Sequence, residues 1–543
     1  MLFRQKLVRF IQTASRAQKR TLSYSKPLFI DLRNHNSVND TIDYLNDNTD
    51  SKLDLKTAET YRDIIAHHAA RLENDIPQDQ IDKEYNDLYT LSLKLSKLLE
   101  STPEVSDEFK KEILNSLIER FTKYNYAVST LAFKKLLENK DHLSHESINQ
   151  LITHNPGRVN STWDLYNTLK PEESHDQILN STLKKLINGD PVEIKEDLHK
   201  IDIDKLTKIY KVYENIGNKD FIDNDTLLQF VKALINLNCT ALVTQLMIPS
   251  FIFETIINDS ENYDLKNIDY LYFYEASINN GVSLTGNSLL KILMPISKLQ
   301  LSPIVDSDNL KILKEKLNFQ PIELAPLPEI VDEIREQILE LGLDESIQTK
   351  FDLLRSAGFY SNDLETAIKY FQHYQPRIPD GTIAQNNIKS LMSLIFTYDC
   401  IVKEDTKMIN VAEALVPQTP LPAANNLAAL ILFQGYLGDV DKGFEIYNKG
   451  LDLFLKPMEG NELNRGMLIQ SLIIISLLGK EIGLAKLIKE KSLENKLIDE
   501  VYEIKITSIF KEYGDNIEEC KDDGEFRKSM KKIILRTIRE YAE

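Results

Sequence analysis

One phrase occurs twice in this chain, almost three hundred residues apart. Residues 157–171 read GRVNSTWDLYNTLKP and residues 438–457 read GDVDKGFEIYNKGLDLFLKP. The copies share a glycine, a valine two residues on, an aromatic six on, Tyr-Asn at nine and ten, and a closing Lys-Pro. Apolar residues fall at i, i+4 and i+7 in each, Val159, Trp163 and Tyr166 in one and Val440, Phe444 and Tyr447 in the other. That spacing is one face of an α-helix. The pattern predicts a helix ended by glycine, a short turn, and a second helix closed by proline where the chain reverses. A looser copy, NDLETAIKYFQHYQP, carries Leu364, Ala367, Ile368, Tyr370 and Phe371 before Pro376, and NRGMLIQSLIIISLLGKEIGLAKLIKEK adds a further unit with Gly479 at its turn. A single hairpin cannot cover its own apolar face, so such units stack and share one continuous core. The expected fold is an all-α solenoid of stacked helical hairpins.

Elsewhere strand-like alternation is almost absent. SDEFKKEILNSLIERFTKYN aligns Phe109, Ile113, Leu114, Leu117, Ile118 and Phe121 on one face. DIDKLTKIYKVYENIGN does the same with Leu206, Ile209, Tyr210 and Tyr213 and ends at Gly217, expected as a left-handed cap. In NFQPIELAPLPEI, Pro321, Pro326 and Pro328 are expected to break any helix and to separate two helical halves. VPQTPLP (residues 416–422) is a second, shorter break. The organisation read from these signals is a leader (1–22), an N-terminal repeat region (23–317), a proline-bearing linker (318–330), C-terminal repeats (331–457), and a last repeat with a basic capping helix (458–543).

The leader is identified by charge. Arg4, Lys6, Arg9, Arg16, Lys19, Arg20 and Lys26 precede the first acidic residue, Asp31, while Phe3, Leu7, Phe10 and Ile11 form an apolar stripe. Basic, serine-bearing, acid-free and amphipathic is the composition of a mitochondrial targeting segment, and RTL followed by SYS places cleavage after Leu22. The whole chain carries −18; without these seven of its 65 basic residues, the remainder carries −25. A surface that negative repels phosphate on average, so contact with RNA or a membrane needs a local basic patch. No apolar run reaches the roughly 18 to 20 residues that span a bilayer. Three scattered cysteines, Cys239, Cys400 and Cys520, encode neither a disulfide framework nor a thiolate zinc site.

INQLITHNPGRVNSTWDLYNTLKP and LAALILFQGYLGDVDKGFEIYNKGLDLFLKP resemble pentatricopeptide repeats, with an Asn-x-Leu-Ile-type first helix, a glycine turn, and Lys-Pro at the exit. With the leader, the chain resembles fungal mitochondrial pentatricopeptide-type proteins that bind organellar transcripts. The resemblance covers two to four units and departs from the family's regular period. Tetratricopeptide-like or irregular helical repeats are the alternative reading of the same pattern. The resemblance implies one base of single-stranded RNA read per repeat by a polar residue of its first helix; the matching positions here are Asn149, Asn387 and Asn426. Each of these also reads as a helix cap or an exposed polar residue.

Chemistry beyond binding has little sequence support. Phosphate-loop, dinucleotide, nucleophile-elbow and HExxH motifs are absent, so no enzyme, cofactor or metal is expected. His142 and His145 have i, i+3 spacing without an evident third ligand, and the adjacent His67 and His68 face different ways on a helix. The strongest basic cluster is FRKSMKKIILRTIREYAE, which sets Arg527, Lys528, Lys531, Lys532, Arg536 and Arg539 opposite Phe526, Met530, Ile533, Ile534 and Ile538. This helix suits RNA, a ribosomal surface or an anionic inner-membrane lipid, or equally the capping of the solenoid. The expected role is therefore a matrix RNA-binding factor in maturation, stability or translation of a mitochondrial transcript. The alternative is a helical scaffold for respiratory-chain or mitoribosome assembly. An inner groove lined by Asn, Arg and Lys favours the first, an acidic or apolar one the second.

Overall fold

The computed structural model describes residues 145–153, 162–168, 175–188, 201–319, 324–417, 420–454, 461–520 and 522–543. The leader, the helix read at 106–125, His67, His68, His142, Gly157, Val159, Pro321 and Pro457 lie outside them. Every regular element among the described residues is helical. The chain forms two units. The first contains residues up to Leu237 together with Lys311–Phe319, and the second contains Asn238–Leu310 and Gln320–Glu543. The chain passes from one unit to the other at Leu237–Asn238, at Leu310–Lys311 and at Phe319–Gln320, and only the last of these falls within the proline-bearing segment.

In the first unit, α1 (His145–Thr153), α2 (Thr162–Thr168), α4 (Ile203–Asn215) and α5 (Asn224–Asn236) all pack on α3 (Asp176–Asn188). α3 is the centre because its apolar residues, Ile178, Leu179, Leu183, Leu186 and Ile187, are all buried. The face read on α4 is buried as expected, at Leu206, Ile209, Tyr210 and Tyr213. Asp202 and Asp223 cap α4 and α5, accepting from the backbone N–H of Lys205 at 2.7 Å and of Thr226 at 2.9 Å. The cap expected at Gly217 is different. Ile216 leaves α4 in an extended conformation, and the N–H groups of Gly217 and Asn218 donate to the Asp176 carboxylate at 2.8 Å each. Those two bonds hold the Asp176 pKa below its ordinary value. The end of α4 is thus fixed by the start of α3, a long-range partner that local sequence does not announce.

In the second unit, α6 (Ser250–Asn258) and α7 (Asn267–Asn279) pack on α8 (Gly286–Leu299). After α9 (Asp308–Leu317), which carries the chain from the second unit into the first, α10 (Leu327–Glu340) also packs on α8. Pro328 does not break α10; it sits in the first turn, where a missing N–H costs nothing. The array continues through α11 (Ile347–Arg355), a π-turn at Ser356–Tyr360, and α12 (Leu364–Tyr374), the third copy of the repeated phrase. The long α13 (Ile383–Lys403) packs on α14 (Pro420–Leu437), which packs on α16 (Asn461–Leu478). α15 (Val440–Phe454), the second copy, forms the outer member of the pair with α14. α17 (Ile482–Glu494) and α18 (Glu500–Asn516) both pack on α16. Stacked hairpins with a shared core are therefore present.

Two glycines explain how tightly that stack closes. Gly438 has φ +90°; its N–H donates to the Gly435 carbonyl at 3.0 Å while that of Asp439 donates to Gln434 at 3.0 Å. This is the left-handed termination the repeated phrase encodes. Gly435 lies one turn earlier where α14 meets α16, and a Cβ there would come within 2.2 Å of Ile475. At the following hairpin the left-handed residue is Lys480, at φ +60°, rather than the neighbouring Gly479.

Candidate functional site

The C-terminal helix α19 (Asp523–Ala542) decides what surface the repeats offer. Its sequence places Phe526, Met530, Ile533, Ile534 and Ile538 on one stripe, and all are buried, with Thr537, Tyr541 and Ala542 beside them. The helix packs on α13, α14 and α16, the first helices of three neighbouring hairpins. The sequence suggested a cap at the end of the stack and a free inner surface. Instead α19 fills the face those three helices share.

Its cations explain the docking. Arg527 donates to the Tyr436 carbonyl at 3.1 Å, in the last turn of α14, and lies 5.0 Å above the Tyr436 ring. Lys531 donates to the Val402 carbonyl at 3.1 Å, in the last turn of α13, and pairs with Glu404 at 2.8 Å. Cations at helix C-termini satisfy carbonyls that have no helical partner and complement the dipole. Hydrogen bonds from Lys531 and Tyr436 hold the Glu404 carboxyl below its ordinary pKa. Arg539 donates to the Tyr398 hydroxyl at 2.8 Å, and Arg536 pairs with Glu512 at 2.6 Å. Lys528 and Lys532 are exposed, on the side of α19 away from its apolar stripe.

The far end of α19 is held as firmly. The Tyr541 hydroxyl lies 2.8 Å from Ser471 Oγ and 3.1 Å from the Met467 carbonyl, inside α16. Asn425 donates to the Tyr541 carbonyl at 2.7 Å and Arg355 to that of Ala542 at 2.8 Å. Glu543 accepts from Lys298 at 2.8 Å. Burial opposes ionisation of Glu543, but Lys298 and the Tyr360 hydroxyl outweigh it, and the pKa falls below the ordinary value.

The three asparagines are not brought together. Asn149 is on α1 of the first unit, half-buried, with a buried side-chain oxygen that has no hydrogen-bond partner. Asn387 is half-buried on the first half of α13. Asn426 is only 1% exposed, and both ends of its amide are used by Ser390 of α13: Nδ2 donates to the carbonyl at 2.9 Å and Oδ1 accepts from Oγ at 2.7 Å. It ties two first helices together and presents no edge to a base. Asn426→Ala is expected to cost about 2 kcal/mol of stability in a urea titration; an unchanged midpoint would show that this pair does not matter to the fold. His145 stands beside His175, ring centroids 5.9 Å apart, and no cluster of three or more metal-ligating residues occurs among the described residues. No described helix is long and apolar enough to cross a membrane.

Fold and site together define a class: an all-α protein of stacked hairpins whose C-terminal helix is laid across its own repeats. Family models of the MRX12 N-terminal, middle and C-terminal domains match residues 60–154, 164–332 and 448–541, in that order and together over more than half of the chain. The chain belongs to the MRX12 family. It is also similar to MIOREX complex component 12 of Saccharomyces cerevisiae, with 21% identity over 482 residues that make up 84% of this chain and 90% of the yeast protein. The three matching models are of MRX12 domains and none is of pentatricopeptide repeats. The features that suggested pentatricopeptide repeats, a glycine turn and a proline exit, are what stacked helical hairpins share in general.

Proposed function

We propose that this protein is a non-catalytic helical component of a mitochondrial gene-expression assembly, held beside the mitochondrial ribosome by protein contacts. The observation that carries this reading is the position of α19. The first-helix face on which a repeat protein would hold an RNA strand is filled by the protein's own α19, and four of the six basic residues of α19 are engaged internally. Outer helices and exposed edges then provide the contact surface. The name of the yeast relative, a component of a complex, and the basic amphipathic leader support the setting. Work in the matrix, peripheral to the inner membrane, fits both. The test is gradient sedimentation of detergent-lysed mitochondria carrying a tagged chain: co-migration with ribosomal particles at physiological salt is expected, and recovery wholly at the top of the gradient would overturn the reading.

Direct contact with single-stranded mitochondrial RNA, serving maturation, stability or translation, is the second reading. Lys528 and Lys532 favour it, being exposed and one turn apart on α19. Asn149 and Asn387 would be its base-contacting residues. Replacing Lys531, Lys532 and Arg536 with glutamate is a poor probe, because two of the three hold α19 in place. Lys528→Glu with Lys532→Glu leaves those ion pairs intact. If both lysines contact phosphate, the slope of log affinity against log salt should shrink by about 1.4 for single-stranded RNA; an unchanged slope removes them from any RNA surface.

A further inference from the structure

We propose that the first unit carries a contact surface for single-stranded RNA, built from Trp163 of α2 and the lysines of α4. The inference goes beyond the protein-contact reading, and it rests on none of the α19 lysines.

Trp163 is the only tryptophan in the chain, and it is half-buried rather than enclosed. Its ring lies 5.5 Å from that of Tyr166, the anchored member of the pair. Tyr166 is 2% exposed, and its hydroxyl accepts from Asn215 Nδ2 at 2.8 Å, which fixes α2 against the end of α4. A further contact on the indole comes from Lys208 of α4, whose Nζ stands 5.7 Å from the ring centroid. An ammonium gains from the negative face of the ring, yet it still requires water or an anion on its other side.

The carboxylates that could answer Lys208 are engaged elsewhere. Asp204, one turn earlier on α4, pairs with Lys316 of α9. Tertiary structure alone places α9 there: Lys316 lies 112 residues further along the chain, and Lys311–Phe319 join the first unit although the segments on both sides of them belong to the second. Glu214, the next acid along α4, is turned to the Tyr210 hydroxyl. Lys211, one turn beyond Lys208, is exposed, and neither lysine has an ion-pair partner among the described residues. An accessible indole beside two unanswered ammoniums one turn apart is a combination that holds a single strand, with a base stacked on the ring and adjoining phosphates on the cations. Lys208 leaves the ring for a phosphate as the base arrives. In a chain of net charge −18, this is a surface from which carboxylates have been drawn away. An acidic peptide would use the lysines but leave the indole unpaired, so a nucleic-acid strand is the better fit.

The experiment uses the full mature chain with a short oligouridylate as probe and reads the emission of Trp163, which, as the only tryptophan, reports this surface alone. Saturable quenching that weakens with salt is expected. Lys208→Gln with Lys211→Gln should weaken binding about tenfold and reduce the slope of log affinity against log salt by about 1.4. Lys528→Gln with Lys532→Gln should leave the quenching unchanged. Followed by anisotropy of a labelled strand, Trp163→Leu should weaken binding about tenfold, and Trp163→Phe, which keeps a ring, less than threefold. Thermal midpoints check that each variant is folded; if Trp163→Leu melts early, an abasic strand offered to the native chain makes the same test and should quench far less than oligouridylate. No quenching by RNA, equal quenching by an oligoglutamate of the same charge, or an unchanged salt slope in the α4 lysine variant would each overturn the proposal. The assembly reading is decided separately, by co-sedimentation with ribosomal particles: a chain that co-sediments without quenching by RNA keeps that reading and loses this one, and a chain quenched by RNA that never co-sediments does the reverse.

Discussion

Ile534→Ala is expected to remove about 3–4 kcal/mol of stability, among the largest losses available to a single side chain in this protein. Ile534 is fully buried on α19 where that helix crosses α13, α14 and α16, and its neighbours Ile533 and Ile538 are equally enclosed. Deleting the branched side chain leaves a cavity that three long helices, locked by Tyr541 at one end and by Arg527 and Lys531 toward the other, cannot close. Urea denaturation followed by far-UV circular dichroism reads the effect as a lower midpoint at constant slope. Lys532→Ala on the exposed side of the same helix should stay within about 0.5 kcal/mol. Equal, small effects at both positions would mean that α19 is not docked as described.

Gly435→Ala should cost about 2–3 kcal/mol, although the change adds a single methyl group to a helix and alanine is the better helix former. The new Cβ would sit 2.2 Å from Ile475 Cγ2 and 2.6 Å from its Cβ, so both the branch and the stem of that side chain stand in the way. Shortening Ile475 to valine keeps both atoms and should not rescue the variant. Gly438→Ala, three residues on, meets no neighbouring atom but must hold φ at +90°, and should cost only about 1 kcal/mol. The thermal midpoints of the two variants rank close packing against backbone strain, and a neutral Gly435→Ala would contradict the α14–α16 approach.

The repeated phrase was legible because it is local. Gly438 and the stripe running through Phe444 and Tyr447 specify a turn and an outer helix wherever they occur, and α15 is that helix. Gly217 failed by the same standard: glycine after a helix is a cap only if nothing better satisfies its N–H, and Asp176, forty-one residues earlier, does. The site behaved differently from the fold. The basic cluster of α19 was visible in sequence, and its apolar face was assigned correctly, yet neither Arg527 nor Lys531 could be seen to have a carbonyl waiting for it.

Sequence alone determined that this chain is helical, that its helices come in pairs, and which face of each is apolar, since these follow from spacing between residues a few positions apart. Tertiary structure alone decided what each face meets. Asn426 became a tie between two helices, and α19 became an occupant of the repeats instead of their cap. The reason is physical: an amphipathic pattern fixes the amount of surface a helix must bury, while the partner that buries it is chosen by carbonyls, carboxylates and cavities contributed from far along the chain.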